Sequence, residues 1–227
     1  MKNKEVKHGQ KNFDRKYFGA YYKKYTFLEL DKAYKWFQGW FRLINKIYPI
    51  NKGRGKKVLE VGCGFGAFSK ILREKQYNVF ASDISSFIIN HAKRLQKDIN
   101  FTTEDVVKTQ GKKNDYDLIF AFEVLEHLNS PKKALKNLYL RLKKGGMLIF
   151  SSPYPTKRTL ADPTHINVHN PEEWTEWGKE IGFNKIRYQY VSFLPFLYRY
   201  HAFFSRAFSI KTNLPIVVNT CFFLFEK

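Results

Sequence analysis

Cysteine is nearly absent from this chain. Two occur in 227 residues, Cys63 and Cys221, each alone among apolar neighbours. That excludes a disulfide framework and zinc-finger spacing, and it suits a reducing compartment. No uncharged apolar run reaches 18 residues, so the sequence offers no candidate for a spanning helix. The segment Met1–Lys16 lacks the apolar centre of a secretory leader. Internal repeats and low-complexity tracts are also missing. The expected location is the cytoplasm, with peripheral contact to a membrane as the option left open. Hydrophobic residues make up 44%, enough for a globular core and too many for a disordered chain.

Acidic residues are scarce as well: 20 Asp and Glu stand against 40 Lys and Arg, a net charge of +20. The excess is uneven. Residues 1–57 hold 16 basic and 4 acidic side chains, a net of +12, while residues 58–153 hold 15 and 10, a net of +5. A positive field concentrated near the N-terminus favours an anionic partner: membrane surface, nucleic acid or acidic substrate.

Residues 1–16 read as a mobile basic arm. Over 26–48, Leu30, Tyr34, Phe37, Phe41, Ile44 and Tyr48 recur at three- and four-residue steps, which predicts an amphipathic helix ended by Pro49. Strands and helices then alternate. Strands are expected at 57–61, 78–82, 99–102, 116–122 and 147–152, with helices at 67–75, 85–97 and 131–143, the last opened by Ser130-Pro131 and capped by Gly145-Gly146. A further helix, 171–180, starts at Asn170-Pro171-Glu172-Glu173 and ends at Gly182. Two late strands, 184–193 and 216–226, flank an aromatic-rich insertion, 194–214. The pattern predicts an α/β protein: a Rossmann-like, doubly wound, seven-stranded, mostly parallel sheet with a C-terminal antiparallel pair and an N-terminal helical extension. Residues 1–50 form the arm and helix, and residues 51–227 the main domain.

The run Lys57-Val-Leu-Glu-Val-Gly-Cys-Gly-Phe-Gly-Ala67 is the most informative stretch. A strand, three alternate glycines and a helix start make a cradle in which a ligand can lie against bare main chain. Gly62, Gly64 and Ala67 satisfy a dinucleotide fingerprint, with Asp83 at the distance expected for a ribose-binding acid. Glu60, two residues before the first glycine, instead suits a ligand with a cationic end, such as S-adenosylmethionine.

Four later motifs follow in order: Ala81-Ser-Asp-Ile-Ser85, Thr103-Glu-Asp105, Tyr116-Asp-Leu-Ile-Phe-Ala-Phe-Glu-Val-Leu-Glu-His-Leu128 and Leu142-Lys-Lys-Gly-Gly-Met-Leu-Ile-Phe150. With the glycine turn, they make residues 57–190 resemble the class I S-adenosylmethionine-dependent methyltransferases. The resemblance implies roles by position. Gly62, Cys63, Gly64 and Gly66 form the cofactor loop, and Glu60 supports it and the ammonium. Asp83 accepts from both ribose hydroxyls. Ile84 packs on the adenine, and Asp105, with Glu104 as the near alternative, accepts the adenine amino group. Phe122 and Glu123 flank the methyl-donor end. Glu126 and His127 are read as braces for the helix that follows.

An activated sulfonium donor asks for orientation and exclusion of water, while a neutral acceptor must also lose a proton. The loop Ala161-Asp-Pro-Thr-His-Ile-Asn-Val-His169 resembles that of small-molecule methyltransferases of quinone and polysaccharide biosynthesis. His165 is the expected base, Asp162 its orienter and His169 the alternate. No metal ligand set is read, because Pro171 follows too closely for His165 and His169 to share a helix face and no third ligand is evident. The expected activity is methylation of a small-molecule, sugar or lipid-linked acceptor, with O-methylation favoured. The rivals are an RNA methyltransferase, prompted by basic residues interleaved with aromatics over Phe13–Tyr25, and a non-catalytic cofactor-binding protein.

Overall fold

The computed structural model describes residues 13, 15–21, 27–194, 200–212 and 217–227. Most of the expected basic arm, together with Arg199 and Leu214, lies outside them. Among the described residues eight strands form one sheet. Their ranges are β1 Lys57–Val61, β2 Asn78–Asp83, β3 Asn100–Thr103, β4 Tyr116–Phe122, β5 Leu142–Ser152, β6 Lys185–Leu194, β7 Arg206–Phe208 and β8 Val218–Glu226. The order across the sheet is β3-β2-β1-β4-β5-β8-β6-β7. The first five strands are parallel, and β8, β6 and β7 are antiparallel to their neighbours. Central strands buried on both faces need unbroken apolar runs, which is why Leu118–Phe122 and Met147–Phe150 carry no charge.

Helices cover both faces. On one, α2 (Phe27–Ile47), α3 (Ala67–Glu74) and α4 (Ser86–Leu95) bury a cluster built around Phe68, Ile71, Phe120 and Phe122. On the other, α5 (Pro131–Arg141) and α7 (Pro171–Ile181) pack Leu135, Leu138 and Trp174 against Ile119, Phe150 and Phe223. Two short helices complete the set, α1 (Arg15–Tyr21) and α6 (Lys157–Leu160). Gly182, at φ 111°, ends α7 in the left-handed region that a side chain would strain.

The structure departs from the sequence reading in two places. First, α5 stops at Arg141 and β5 begins at once, so Gly145-Gly146 is not a helix cap. The pairing of β5 with β4 jumps from Leu142 opposite Tyr116 to Met147 opposite Leu118, and the extra residues bulge out. Gly145 takes φ 74° in that bulge and its N–H donates to the Lys227 carbonyl at 2.7 Å. The glycines serve a strand irregularity, a use that helix-stop chemistry mimics. Second, the insertion contributes an eighth strand, β7, of three residues. So short a strand leaves no alternation to read.

Trp40 shows how α2 is held. Its ring stacks on Phe193 at 4.6 Å and 12°, and meets Phe122 edge-on at 5.1 Å. The side chain is 3% exposed and its indole N–H has no hydrogen-bond partner. Trp40→Ala removes a large buried ring and should cost about 3–5 kcal/mol in urea unfolding. Trp40→Phe discards no polar contact and should cost less than half of that. Equal losses in the two variants would contradict packing as the reason.

Candidate active site

Strand order reverses between β1 and β4, so their C-terminal ends open a crevice at the switch point. A cavity of about 280 Å³ lies there. Its floor is Val61, Gly62, Cys63 and Gly64. Asp83 and Ile84 from the end of β2 and Glu104 and Asp105 after β3 form one wall, and Glu123, Val124 and His127 after β4 form the opposite one. Phe13, Tyr17 and Phe37 reach over it from the N-terminal region. Gly62 takes φ 69°, and a Cβ there would meet a Val124 methyl at 2.2 Å. Only glycine leaves bare main chain facing the cavity.

Asp83 is organised for a ligand. Its Oδ2 accepts from the Gly64 N–H at 3.0 Å and its Oδ1 from the Ser85 N–H at 2.9 Å. Each oxygen keeps a second lone-pair site, so the carboxylate can still accept from a pair of hydroxyls. Burial pushes its pKa up to about 6, and backbone hydrogen bonds restrain the rise. Further along the same wall Asp105 Oδ1 accepts from the Val107 N–H at 3.0 Å, and Glu104 pairs with the buried Arg141 guanidinium. Burial pushes the Cys63 thiol well above its ordinary value, so it stays an inert lining group.

A second cavity, of about 630 Å³, adjoins the first. Its walls are Pro153 and Pro155–Thr159 after β5, Asp162 and His165, and Val217–Asn219 entering β8. Glu123 lines both cavities and therefore marks their junction. Its backbone sits at φ 52°, a strained setting for a non-glycine residue. Ser151 and Thr220 hydroxyls each donate to Glu123 Oε1 at 2.7 Å. Burial raises the Glu123 carboxyl, with these bonds and the nearby His165 working against the rise.

Two imidazoles stand at the same junction. His127 lines the smaller cavity and His165 the larger, with ring centroids 4.9 Å apart. His165 Nδ1 lies 3.0 Å from the Thr159 carbonyl, so Nδ1 carries the hydrogen and Nε2 the lone pair when the ring is neutral. Asp162 Oδ2 is 3.9 Å from that Nε2. Hydrogen bonds from Thr164 outweigh burial and hold Asp162 below the usual carboxylate range.

The methyltransferase-domain family profile matches residues 33–188, more than half of the chain. The chain belongs to the class I S-adenosylmethionine-dependent methyltransferases. Over 103 residues it is 36% identical to a ubiquinone biosynthesis O-methyltransferase of Coxiella burnetii, a span that is 44% of each protein. It is 24% identical over 144 residues to phosphoethanolamine N-methyltransferase 3 of Arabidopsis thaliana, 58% of this chain and 29% of that one. The chain thus spans less than half the length of these curated relatives. In fold it is similar to a SAM-dependent methyltransferase from Archaeoglobus fulgidus, with TM-score 0.65 and 19% identity over 94% of this chain and 100% of that one. A phosphoethanolamine N-methyltransferase 2 from Haemonchus contortus in complex with S-adenosyl-L-methionine matches with TM-score 0.61 and 16% identity, over 82% of this chain and 51% of that one. Membership sets aside the dinucleotide reading of the glycine turn.

The methyltransferase's residues fit the cofactor. Bare main chain at Gly62, a two-oxygen acceptor at Asp83 and the apolar Ile84 face one cavity. Several expected residues stand elsewhere. Glu60 does not line the cavity: it is buried behind the loop, accepts from the Ser69 hydroxyl, and burial raises its pKa to about 8. Gly66 and Phe122 also lie behind the lining, Phe122 packed on Phe68 at 4.9 Å. His169 lines neither cavity. Its ring rests against Trp177 at 4.7 Å and its Nδ1 faces Glu173 at 3.1 Å, so it pins the loop to α7 and is not an alternate base. Glu126 and His127 form a short 3-10 turn, Leu125–His127, and the Glu126 carbonyl accepts from the Ile166 and Asn167 N–H groups at 3.0 and 2.9 Å. They brace the loop after β5, and His127 lines the cofactor cavity. The spacing Glu123-x-x-Glu126-His127 at a strand end was the available signal.

Asp83 supplies the test of this site. Its pKa of about 6 leaves it ionised at pH 7 and protonated below 6, where it loses acceptor capacity. Affinity for S-adenosylhomocysteine should therefore fall as pH drops from 7 to 5, by several-fold to about tenfold. Asp83→Ala should weaken binding at pH 7 by at least about tenfold and flatten that dependence. Calorimetry at the two pH values checks both. An unchanged pH slope in the variant would assign the effect elsewhere.

Proposed function

We propose that this methyltransferase transfers a methyl group to the oxygen of a small-molecule, sugar or lipid-linked acceptor seated in the 630 Å³ cavity. The observation that carries the reading is the meeting of the two cavities at Glu123, with His165 in the wall of the acceptor side. The bound cofactor supplies an electrophilic methyl carbon and a neutral thioether leaving group. The acceptor oxygen forms the new bond to that carbon, the carbon–sulfur bond breaks, and its electron pair stays on sulfur. The hydroxyl proton passes to His165 Nε2, whose ring is fixed by the Thr159 carbonyl and which lies 3.9 Å from Asp162 Oδ2. The walls at Pro153, Pro155 and Val217 limit the water that could compete. The names of the Coxiella relative and of a malonyl-[acyl-carrier protein] O-methyltransferase from Ilyobacter polytropus, 35% identical over 100 residues, support oxygen as the accepting atom.

A lipid-linked acceptor is favoured by one surface. Tyr200, Phe203, Phe204, Phe208 and Ile210 are 79, 59, 42, 45 and 55% exposed. The Arg206 guanidinium lies 4.0 Å over the Phe203 ring. This segment is fastened to α2, where Arg42 donates to the Ala202 and Ser205 carbonyls and the Ser205 hydroxyl to the Trp36 carbonyl. None of residues 200–212 lines either cavity; they present an outward aromatic and basic face, suited to an anionic bilayer surface. Against an RNA acceptor, the strand-end residues Phe122-Glu123 place a carboxylate at the junction, and residues 22–25 of the basic aromatic segment lie outside the described residues.

Labelled-methyl transfer into lipid, metabolite, RNA and protein fractions should label the first two. With the acceptor so found, His165→Asn should lower kcat by about 10²–10⁴-fold while leaving cofactor affinity within a few-fold. A kcat within a few-fold of the parent would remove His165 from the chemistry. Phe203→Asp combined with Phe208→Asp should abolish salt-sensitive co-sedimentation with anionic vesicles. Equal sedimentation of parent and variant would end the membrane part.

A further inference from the structure

The larger cavity is electrically two-ended, and methyl transfer to a neutral hydroxyl uses only one end. Besides His165, four ionisable side chains line it: Glu123, Asp162, Lys157 and Arg158. The acids lie inward. Both are half-buried, Glu123 at the junction with the smaller cavity and Asp162 with its Oδ2 3.9 Å from His165 Nε2. Lys157 and Arg158 are exposed, which places them at the outer end.

The acids are held by neutral donors. Asp162 Oδ1 accepts from the Thr164 N–H at 2.8 Å and the Thr164 hydroxyl at 2.7 Å, and Glu123 Oε1 accepts from Ser151 and Thr220. Among the described residues no carboxylate pairs with Lys157. The cations are built into the turn that fixes the base. Thr156 and Thr159 bond reciprocally around α6, the Thr159 hydroxyl donates to the Tyr154 carbonyl at 2.8 Å, and the Thr159 carbonyl holds His165 Nδ1. Arg158 is the residue before Thr159. Its Nη1 donates at 3.3 Å to the Val217 carbonyl on the facing wall, so the guanidinium is tethered across the cavity. On that wall Asn219 Oδ1 accepts from the Ser192 hydroxyl at 2.7 Å, which leaves the amide nitrogen as a further donor.

Such a cavity sorts its guests by charge and direction. A group that is anionic at its leading end meets Glu123 and Asp162, and like charges repel. A guest with a hydroxyl leading and an anion trailing meets the base first and the cations last. We propose that the acceptor carries one anionic group, a carboxylate or a phosphate, which Arg158 and Lys157 bind at the outer end of the cavity while the hydroxyl reaches His165. Arg158 offers a planar fork matched to either anion. The hydroxyl's fate rests on the methyl-transfer reading above, but the binding of the anion does not.

Calorimetry on the full chain saturated with S-adenosylhomocysteine tests this with matched pairs. 3,4-Dihydroxybenzoate against its methyl ester reads the carboxylate, and glycerol 3-phosphate against glycerol reads the phosphate. In at least one pair the charged member should bind at least about fivefold tighter, and raising salt from about 0.05 to 0.5 M should shrink that preference, because the cations are exposed. Arg158→Gln and Lys157→Gln should each cut the preference about threefold. Affinity for S-adenosylhomocysteine should stay within about twofold in both variants, which establishes that they fold, since neither residue lines the smaller cavity. No preference in either pair would overturn the proposal. So would a preference untouched by both variants; loss of binding to anionic vesicles in those same variants would then assign the cations to lipid head groups. If the anion binds as expected and no acceptor is ever methylated, the methyl-transfer reading falls and the anion site stands.

Discussion

Glu123 ties three strands together at the one point on which the site depends. It follows β4 with a left-handed backbone, and its carboxyl is gripped by Ser151 from β5 and Thr220 from β8. Those hydroxyls hold a conformation that costs about 1–3 kcal/mol on its own. The chain turns sharply there, which sends Glu126 and His127 back across the mouth of the sheet. Without that turn the two cavities would not share a wall. The antiparallel β8 is therefore more than an edge: it delivers Thr220 to the far side of the junction.

Around that junction, burial decides the charge of each carboxyl. Asp83 keeps two backbone donors and is raised only to about 6, so it is an anion at neutral pH and a good acceptor. Glu60 has a single hydroxyl partner and is raised to about 8, so it is protonated at neutral pH and acts as a neutral brace for α3. The Glu126 carboxyl receives no hydrogen bond, and burial together with the neighbouring Glu123 drives it well above the carboxylate range. Asp162, in the more open cavity, is lowered. Acids of similar intrinsic strength thus take different charge states according to what donates to them.

Much of the fold was legible in the sequence because parallel central strands leave plain marks. The strands 57–61 and 116–122 were read to the residue, and the strand–glycine–helix unit was unmistakable. One wall of the smaller cavity was legible for the same reason: Asp83, Ile84, Glu104 and Asp105 stand at or just after strand ends, and strand ends meet at the crevice. What was missed depended on distance along the chain. Gly145-Gly146 looked like a helix stop because glycine chemistry is the same in a bulge. His169 looked like an alternate to His165, yet three residues of loop carry it away to Trp174 and Trp177. Glu126 and His127 looked like local braces. Their approach to His165, 38 residues away from His127, comes from the packing of two loops and leaves no local periodicity.

The central claim is that the glycine-floored crevice holds the sulfur nucleoside with its reactive end at Glu123. A crystal structure with S-adenosylhomocysteine measures this directly. The account predicts ribose hydroxyls on the two Asp83 oxygens, the adenine beside Ile84 and Asp105, and the sulfur directed toward the shared wall of the two cavities. Nucleoside density outside the crevice, or lying within it with the sulfur turned away from Glu123, would contradict it.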